Sequence, residues 1–243
     1  MSSRLLRLLL LITTCVVTVQ AQDAPAVRKG RVESKAFRSQ ALGITKTLVV
    51  YLPPSYDDAA SATLRYPVAV YLHGAFGSEG DWTVQGRLAE TMDSLVAGGM
   101  REMIIVMPDG DDGWWTTWHG LNDVAACRRQ PRQENADTYC VPWPKYDDYV
   151  THDVLALTDS LYRTRPGRAS RAIAGLSMGG YGAISIAARN PSLFVAAASH
   201  SGVLRPALMT DSSTGAVTQR DARTRDELRA VSGGRWERIE RAF

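Results

Sequence analysis

Two hydrophobic rhythms alternate along the chain. Apolar runs of strand length occur at 47–52, 67–72, 103–107, 170–175 and 195–199, and 30–37 supplies a further first strand. Pro53-Pro54 stops one run, His73-Gly74 follows another, and Pro108-Asp109-Gly110 ends a third. A continuous apolar run of this length suits a strand buried on both faces of a parallel sheet. Between these runs the spacing predicts helices. Over 86–97, Leu88, Met92, Leu95 and Val96 share one face, and Gly98-Gly99 is the stop. Over 146–165, Val150, Val154, Leu157 and Leu161 recur at helical spacing before Pro166-Gly167. A third helix is expected over 178–190, before Pro191. Strand and helix in alternation predict an α/β fold with a mostly parallel sheet and right-handed crossovers. The one long excursion, 111–144, is rich in aromatics; loops of such length are usually functional or disordered.

Residues 1–21 read as an export signal. Arg4 and Arg7 form a basic start, and the apolar stretch 8–19 is shorter than the roughly 20 residues a spanning helix needs. Val19 and Ala21 place small residues before a cut at Gln22. The alternative is an uncleaved anchor. Residues 22–29 are then a flexible mature N-terminus and 30–243 one domain. Export makes the protein secreted or periplasmic, with no stable membrane anchor after cleavage.

Composition changes this picture little. The 243 residues are 45% hydrophobic and 22% charged, with a formal charge of only +3, which gives no electrostatic case for nucleic acid. Of the 3 cysteines, Cys15 lies in the leader. Cys127 and Cys140 remain, and an even pair in an exported protein points to a disulfide closing a polar loop. Free thiols are the alternative. No histidine is spaced to complete a zinc site with this pair.

The sharpest chemical signal is Gly175-Leu176-Ser177-Met178-Gly179-Gly180, set between an expected strand and an expected helix. That context gives G-x-S-x-G its meaning. The turn is tight, so small residues must flank the serine. The hydroxyl is then pushed out at a helix N-terminus, where the dipole favours developing negative charge. A second signal is His73-Gly74-Ala75 after a buried strand. In this arrangement two backbone N–H groups hold the oxyanion: that of the residue after the nucleophile, Met178, and one from the loop, Ala75. His73 precedes the loop and reads first as a hinge hydrogen-bonded to neighbouring backbone. With Phe76, Trp114 and Trp115 it is also a candidate for contacting substrate. Trp114, Trp115, Trp118, Tyr139, Trp143 and Tyr146 could stack a sugar or an aryl acid, or simply pin the long loop as a small hydrophobic cluster. Asp109 reads as a turn-former or cap.

Leu72-His73-Gly74, Val106-Met107-Pro108-Asp109-Gly110 and the serine hexapeptide followed by Tyr181-Gly182-Ala183 resemble an esterase family within the α/β-hydrolases. That group contains S-formylglutathione hydrolases (esterase D), feruloyl esterases and the antigen 85 mycolyltransferases. The resemblance implies an α/β-hydrolase fold, Ser177 as nucleophile, Ala75 and Met178 as oxyanion donors, and an acyl-enzyme without a cofactor. The substrate would be a small ester or thioester, or an acylated sugar or lipid. Acyl transfer to a sugar or lipid hydroxyl is the alternative chemistry.

The chain departs from that pattern after the serine. Enzymes of this group order their triad as Ser, Asp or Glu, then His. Of the 4 histidines, only His200 follows Ser177, at the end of the next expected strand. Beyond Gly202 there is no Val/Ile-rich run, and 220–241 is dense in charge. The expectation is a sheet lacking its last strands, in a C-terminally incomplete chain. Two further readings stay open: His200 as a substitute base with Asp211 orienting it, and a catalytically inactive homologue or glycan- or lipid-binding module.

Overall fold

The computed structural model describes residues 27–118, 120–129, 135–204, 208–210 and 217–219. The leader expected at 1–21, His119 and Asp211 lie outside the described residues, as does all of the charged segment 220–241.

Six strands form one mixed sheet: β1 (Arg31–Arg38), β2 (Thr45–Leu52), β3 (Val68–Leu72), β4 (Ile104–Pro108), β5 (Arg171–Leu176) and β6 (Ala196–His200). Their order is β1-β2-β4-β3-β5-β6. β1 and β2 pair antiparallel, as do β2 and β4, while β4-β3-β5-β6 run parallel. The α/β expectation therefore holds, with the antiparallel members confined to one side. Seven α-helices are described: α1 (Asp81–Val84), α2 (Leu88–Ala97), α3 (Val124–Arg128), α4 (Ala136–Tyr139), α5 (Tyr146–Asp148), α6 (Leu155–Leu161) and α7 (Met178–Arg189). None is long and apolar enough to cross a membrane.

The strand period of two divides the core into two layers. Val49, Tyr51, Ala69, Ile105 and Met107 face α2, meeting Leu88 and Met92. Leu48, Val50, Val68, Val70, Ile104 and Val106 face the opposite side, meeting Tyr149, Val150, Val154 and Ile186. Central strands thus contribute both faces to the interior, which is why they read as unbroken apolar runs.

Three local expectations are corrected. Leu95 was expected on the buried face of its helix but is 47% exposed. Asp93 is buried instead, accepting from the Gly30 N–H and the Tyr51 hydroxyl, both at 2.8 Å. The helix expected over 146–165 is divided: a π-helical turn, Tyr149–Val154, joins α5 to α6, and Tyr162 is already extended. Beyond β6, two short strands not foreseen, β7 (Leu208–Thr210) and β8 (Val217–Gln219), pair antiparallel as a separate sheet. Among the described residues β6 is therefore the last strand of the main sheet.

Candidate active site

The parallel strands β3, β4 and β5 end at the same edge of the sheet, where α/β folds place their sites. β5 passes directly into α7 through Ser177, whose φ of 53° and ψ of −113° form a strained corner. Strain of this kind costs on the order of 1–3 kcal/mol and collects at functional sites. Two glycines make the corner possible. A Cβ on Gly175 would stand 2.2 Å from the Gly179 carbonyl carbon, and one on Gly179 would stand 2.2 Å from the Leu72 carbonyl oxygen. Strand, serine and helix are thus packed backbone to backbone. The Ser177 N–H donates to the His200 carbonyl at 2.9 Å, and its own carbonyl accepts from Tyr181 at 3.1 Å and Val203 at 3.3 Å. Every main-chain group of the serine is fixed. Its side chain is half-buried and makes no hydrogen bond to another described group.

The loop after β3 lies against this corner. A Cβ on Gly74 would sit 3.6 Å from the Ser177 Cβ. Residues 74–77 form a turn closed by the Gly77 N–H on the Gly74 carbonyl at 3.2 Å. Phe76, with φ of 63°, takes the third position, which calls for positive φ. Its N–H donates to Asp112 Oδ1 at 2.7 Å. Ala75 is exposed on the loop. Met178 opens α7, where an N–H has no partner within the helix.

The four residues expected against substrate divide into two pairs. Phe76 is 95% exposed and free to meet a ligand. Trp114 is half-buried and edge-on to Tyr181, on the first turn after the serine. The placement of His73 and Trp115 is a correction: their side chains are buried, at 1% and 0% exposure for the residues, and offer no face to a ligand. Trp115 is a core residue. It packs beside Gly182, where a Cβ would stand 2.4 Å from the Trp115 Cβ, and its indole N–H donates to the His73 carbonyl at 3.1 Å. Tyr146 is likewise in the main core. The aromatic loop is therefore pinned to the central core rather than to a satellite cluster. The Cys127–Cys140 disulfide is formed within it, with Cα atoms 5.7 Å apart.

Behind the loop is a charged cluster that the sequence reading missed. Lys46, at the start of β2, has a wholly buried side chain. It donates to Asp109, to Asp111 at 2.9 Å and to the Thr138 carbonyl at 3.0 Å. The Tyr146 hydroxyl donates to the same Asp111 oxygen. Burial opposes the charge on Lys46, but the two carboxylates outweigh it and raise its pKa. Burial also works against ionising Asp109, yet Lys46 and the Asp111 N–H hold its pKa below the usual range. Asp111 differs: burial and the neighbouring Asp109 charge push it up to about 6. The expected cap role of Asp109 is present too, since its Oδ1 accepts from the Asp111 N–H at 3.1 Å. One signal could have exposed Lys46. It shares strand parity with Leu48, Val50 and Leu52, which places it on an inward face. Lys46, Asp109 and Asp111 line a cavity of about 670 Å³ together with Phe76, Glu79 and Asp112.

His200 ends β6 beside Leu176. Its backbone holds Ser177, and its residue is exposed, but its ring makes no hydrogen bond to the serine. Asp211, its expected partner, is outside the described residues.

Comparison with known proteins fits this geometry. The family described as "Putative esterase" matches residues 39–239. An endo-1,4-beta-xylanase/feruloyl esterase of Xylanibacter ruminicola is 28% identical over 184 residues, covering 73% of this chain and 23% of that protein. An esterase of Mycobacterium tuberculosis is 32% identical over 166 residues, covering 68% of this chain and 31% of that protein. Among solved structures, a ferulic acid esterase superposes with a TM-score of 0.57 at 29% identity, covering 72% of this chain and 62% of that one. The S-formylglutathione hydrolase of Agrobacterium tumefaciens gives 0.57 at 21%, covering 87% and 69%, a likeness of fold alone. The chain spans less than a third of the length of these curated relatives. With residues 39–239 matched and the sheet, corner and loop in place, the chain belongs to this esterase family of the α/β-hydrolases.

Proposed function

We propose that the protein is an exported serine esterase that cleaves a carboxylic ester through an acyl-enzyme at Ser177. The observation that carries this is the corner itself: a half-exposed serine at φ 53°, between a parallel strand and a helix N-terminus, flanked by two glycines that admit no side chain. Attack by Ser177 Oγ on the ester carbonyl forms the C–O bond of a tetrahedral intermediate and moves an electron pair onto the carbonyl oxygen. The Ala75 and Met178 N–H groups receive that oxyanion; one such donor is typically worth about 3 kcal/mol. Collapse expels the alcohol, and water then releases the acid.

The serine proton needs a base. His73 is excluded by its buried ring, and His152 sits in the π-helical turn Tyr149–Val154 with its Nδ1 against the Thr151 hydroxyl and the Asp148 carbonyl. His200 is the exposed imidazole next to the corner and takes this role in the proposal. Catalytic hydrogen bonds in unliganded enzymes are often long and tighten only around substrate. The feruloyl esterase names among the relatives make a hydroxycinnamoyl ester the substrate to try first. The leader read at 1–21 and the disulfide support export.

The test is labelling with a fluorophosphonate alongside hydrolysis of methyl ferulate and 4-nitrophenyl acetate. The folded protein is expected to carry one adduct, at Ser177, and S177A is expected to lose labelling and at least 10³-fold in kcat. H200A should lower kcat and H200Q should not restore it. A folded protein that takes no adduct would leave the inactive or ligand-binding reading standing instead.

A further inference from the structure

The His73 ring has no access to substrate, yet it is bonded at both nitrogens. Gly110 donates its N–H to Nε2 at 2.9 Å. Nε2 is therefore an acceptor, and the ring proton sits on Nδ1, which donates to the Gly74 carbonyl at 2.8 Å. Asp109 Oδ1 is 3.6 Å from Nε2, too far for a hydrogen bond, so we assign the neutral Nδ1–H tautomer. The ring is packed edge-on against Trp115 with centroids 5.0 Å apart, and the His73 carbonyl is held by the same indole.

The Gly74 carbonyl and the Ala75 N–H belong to one peptide group. The chain has no cis bond among the described residues. In a trans peptide the C=O and N–H point in opposite directions within one plane. A donor that captures the carbonyl therefore sets where the N–H points. We propose that His73 is a positioning residue of the oxyanion hole: its Nδ1–H holds the Gly74–Ala75 peptide so that the Ala75 N–H faces the cleft beside Ser177. The inference rests on the reading of Ala75 as an oxyanion donor.

The turn's own bond, from Gly77 to Gly74, cannot do this alone. Both of its partners lie in the loop and rotate with it. The side chain is anchored outside the loop, by its own backbone at the end of β3, whose carbonyl the Trp115 indole holds, and by the Gly110 N–H beyond β4, and so refers the peptide to the sheet that also carries the nucleophile. Position 77 is close to the same groups: a Cβ there would stand 3.1 Å from the Gly74 carbonyl oxygen and 3.2 Å from His73 Nδ1.

Two substitutions separate the two bonds. In H73N the amide nitrogen takes the place of Nδ1 and can still donate to Gly74. In H73Q the amide oxygen takes the place of Nε2 and keeps the Gly110 bond, but Gly74 loses its donor. Three measurements follow. First, ring ¹⁵N shifts and a through-hydrogen-bond coupling from His73 Nδ1 to the Gly74 carbonyl carbon are expected in the unsubstituted protein; an Nε2–H tautomer or no coupling overturns the proposal without any variant. Second, the backbone order parameter of the Ala75 amide is expected near 0.85 in wild type and H73N and below about 0.6 in H73Q. Equal order in all three overturns it. Third, H73Q is expected to lose about 10- to 100-fold in kcat for methyl ferulate with KM nearly unchanged, and H73N to recover most of that loss. Equal losses in both variants would mark a merely structural role. If wild type takes no fluorophosphonate, the serine reading fails, and the first two measurements still decide whether His73 orients the peptide.

Discussion

The Ser177 corner and the Lys46–Asp109–Asp111 cluster stand at the same edge of the sheet and are built in opposite ways. The corner is local. Five consecutive residues, Gly175 to Gly179, carry the strand end, the strained serine and the helix start; Gly175 answers to Gly179 within the turn, and Gly179 to the neighbouring strand at Leu72. The cluster is assembled at long range: Lys46 meets carboxylates 63 and 65 positions away and a carbonyl 92 positions away. The corner tolerates no added volume, because its neighbours are backbone. The cluster tolerates no loss of its cation, because buried carboxylates are supportable only with it. His73 joins the two, one nitrogen toward the loop beside the serine and the other toward the strand end that carries Asp109.

The sharpest way to break this contrast is to remove one charge from the cluster. K46M leaves two carboxylates buried without their cation, and a cost of about 3–5 kcal/mol is expected from denaturant unfolding. Adding D109N and D111N to K46M should recover most of it, since the cost lies in uncompensated charge and not in volume. A triple variant as unstable as K46M would make the lysine's packing the cause instead.

Next in size is added volume at the corner. G179A places a methyl 2.2 Å from the Leu72 carbonyl oxygen, and overpacking of this kind costs typically 1–3 kcal/mol, more against backbone. A chain of this size should melt about 2–4 °C lower per kcal/mol. G179A melting with wild type would show that the corner relaxes freely.

The cluster also carries a pH signature. The Asp111 carboxyl, raised to about 6 by burial and Asp109, holds its proton in the folded protein over a range in which the unfolded chain has released it. Stability from this group is full below the unfolded value of 3.8 and is lost as pH rises through about 6. Asp109, lowered by Lys46 and the Asp111 N–H, works the other way, losing its contribution only in stronger acid. D111N keeps an acceptor for Lys46 and Tyr146, so it should flatten the fall between about pH 4 and 6, an effect on the order of 1–3 kcal/mol. A fall of equal size in D111N would assign it to another group.

The smallest expected effect lies on the loop. A Cβ at Gly74 meets only ordinary contacts of 3.5 Å and beyond. G74A should change stability by less than about 0.5 kcal/mol. It also crowds Ser177, so turnover of a bulky acyl ester should fall further than that of acetate. Equal change for both esters would place the acyl path elsewhere.

The difference between the regions also explains what could be read in advance. Strand runs, the glycine-flanked serine and the loop after β3 depend on neighbours in the chain and on period-two or period-3.6 patterning, so their positions were legible. Leu95 and Asp93 were not. Both lie on an amphipathic helix, and the burial of Asp93 is settled by a hydroxyl from β2 and an amide from before β1. His73 was legible as a backbone-bonded hinge, but not its second anchor on Gly110. Trp115 looked like a ligand contact because aromatic content says nothing about which face a loop turns inward.

By itself the sequence determined an α/β chain with a serine poised between strand and helix, a paired disulfide loop and an expected export leader. Steric and periodic constraints act over a few residues and are written there directly. Which strands are neighbours, which lysine is stranded in the interior, and which imidazole faces a peptide instead of a solvent-filled cleft were decided by tertiary structure alone. Those outcomes depend on desolvation and on partners brought within about 3 Å from distant parts of the chain, and no local pattern encodes such a distance.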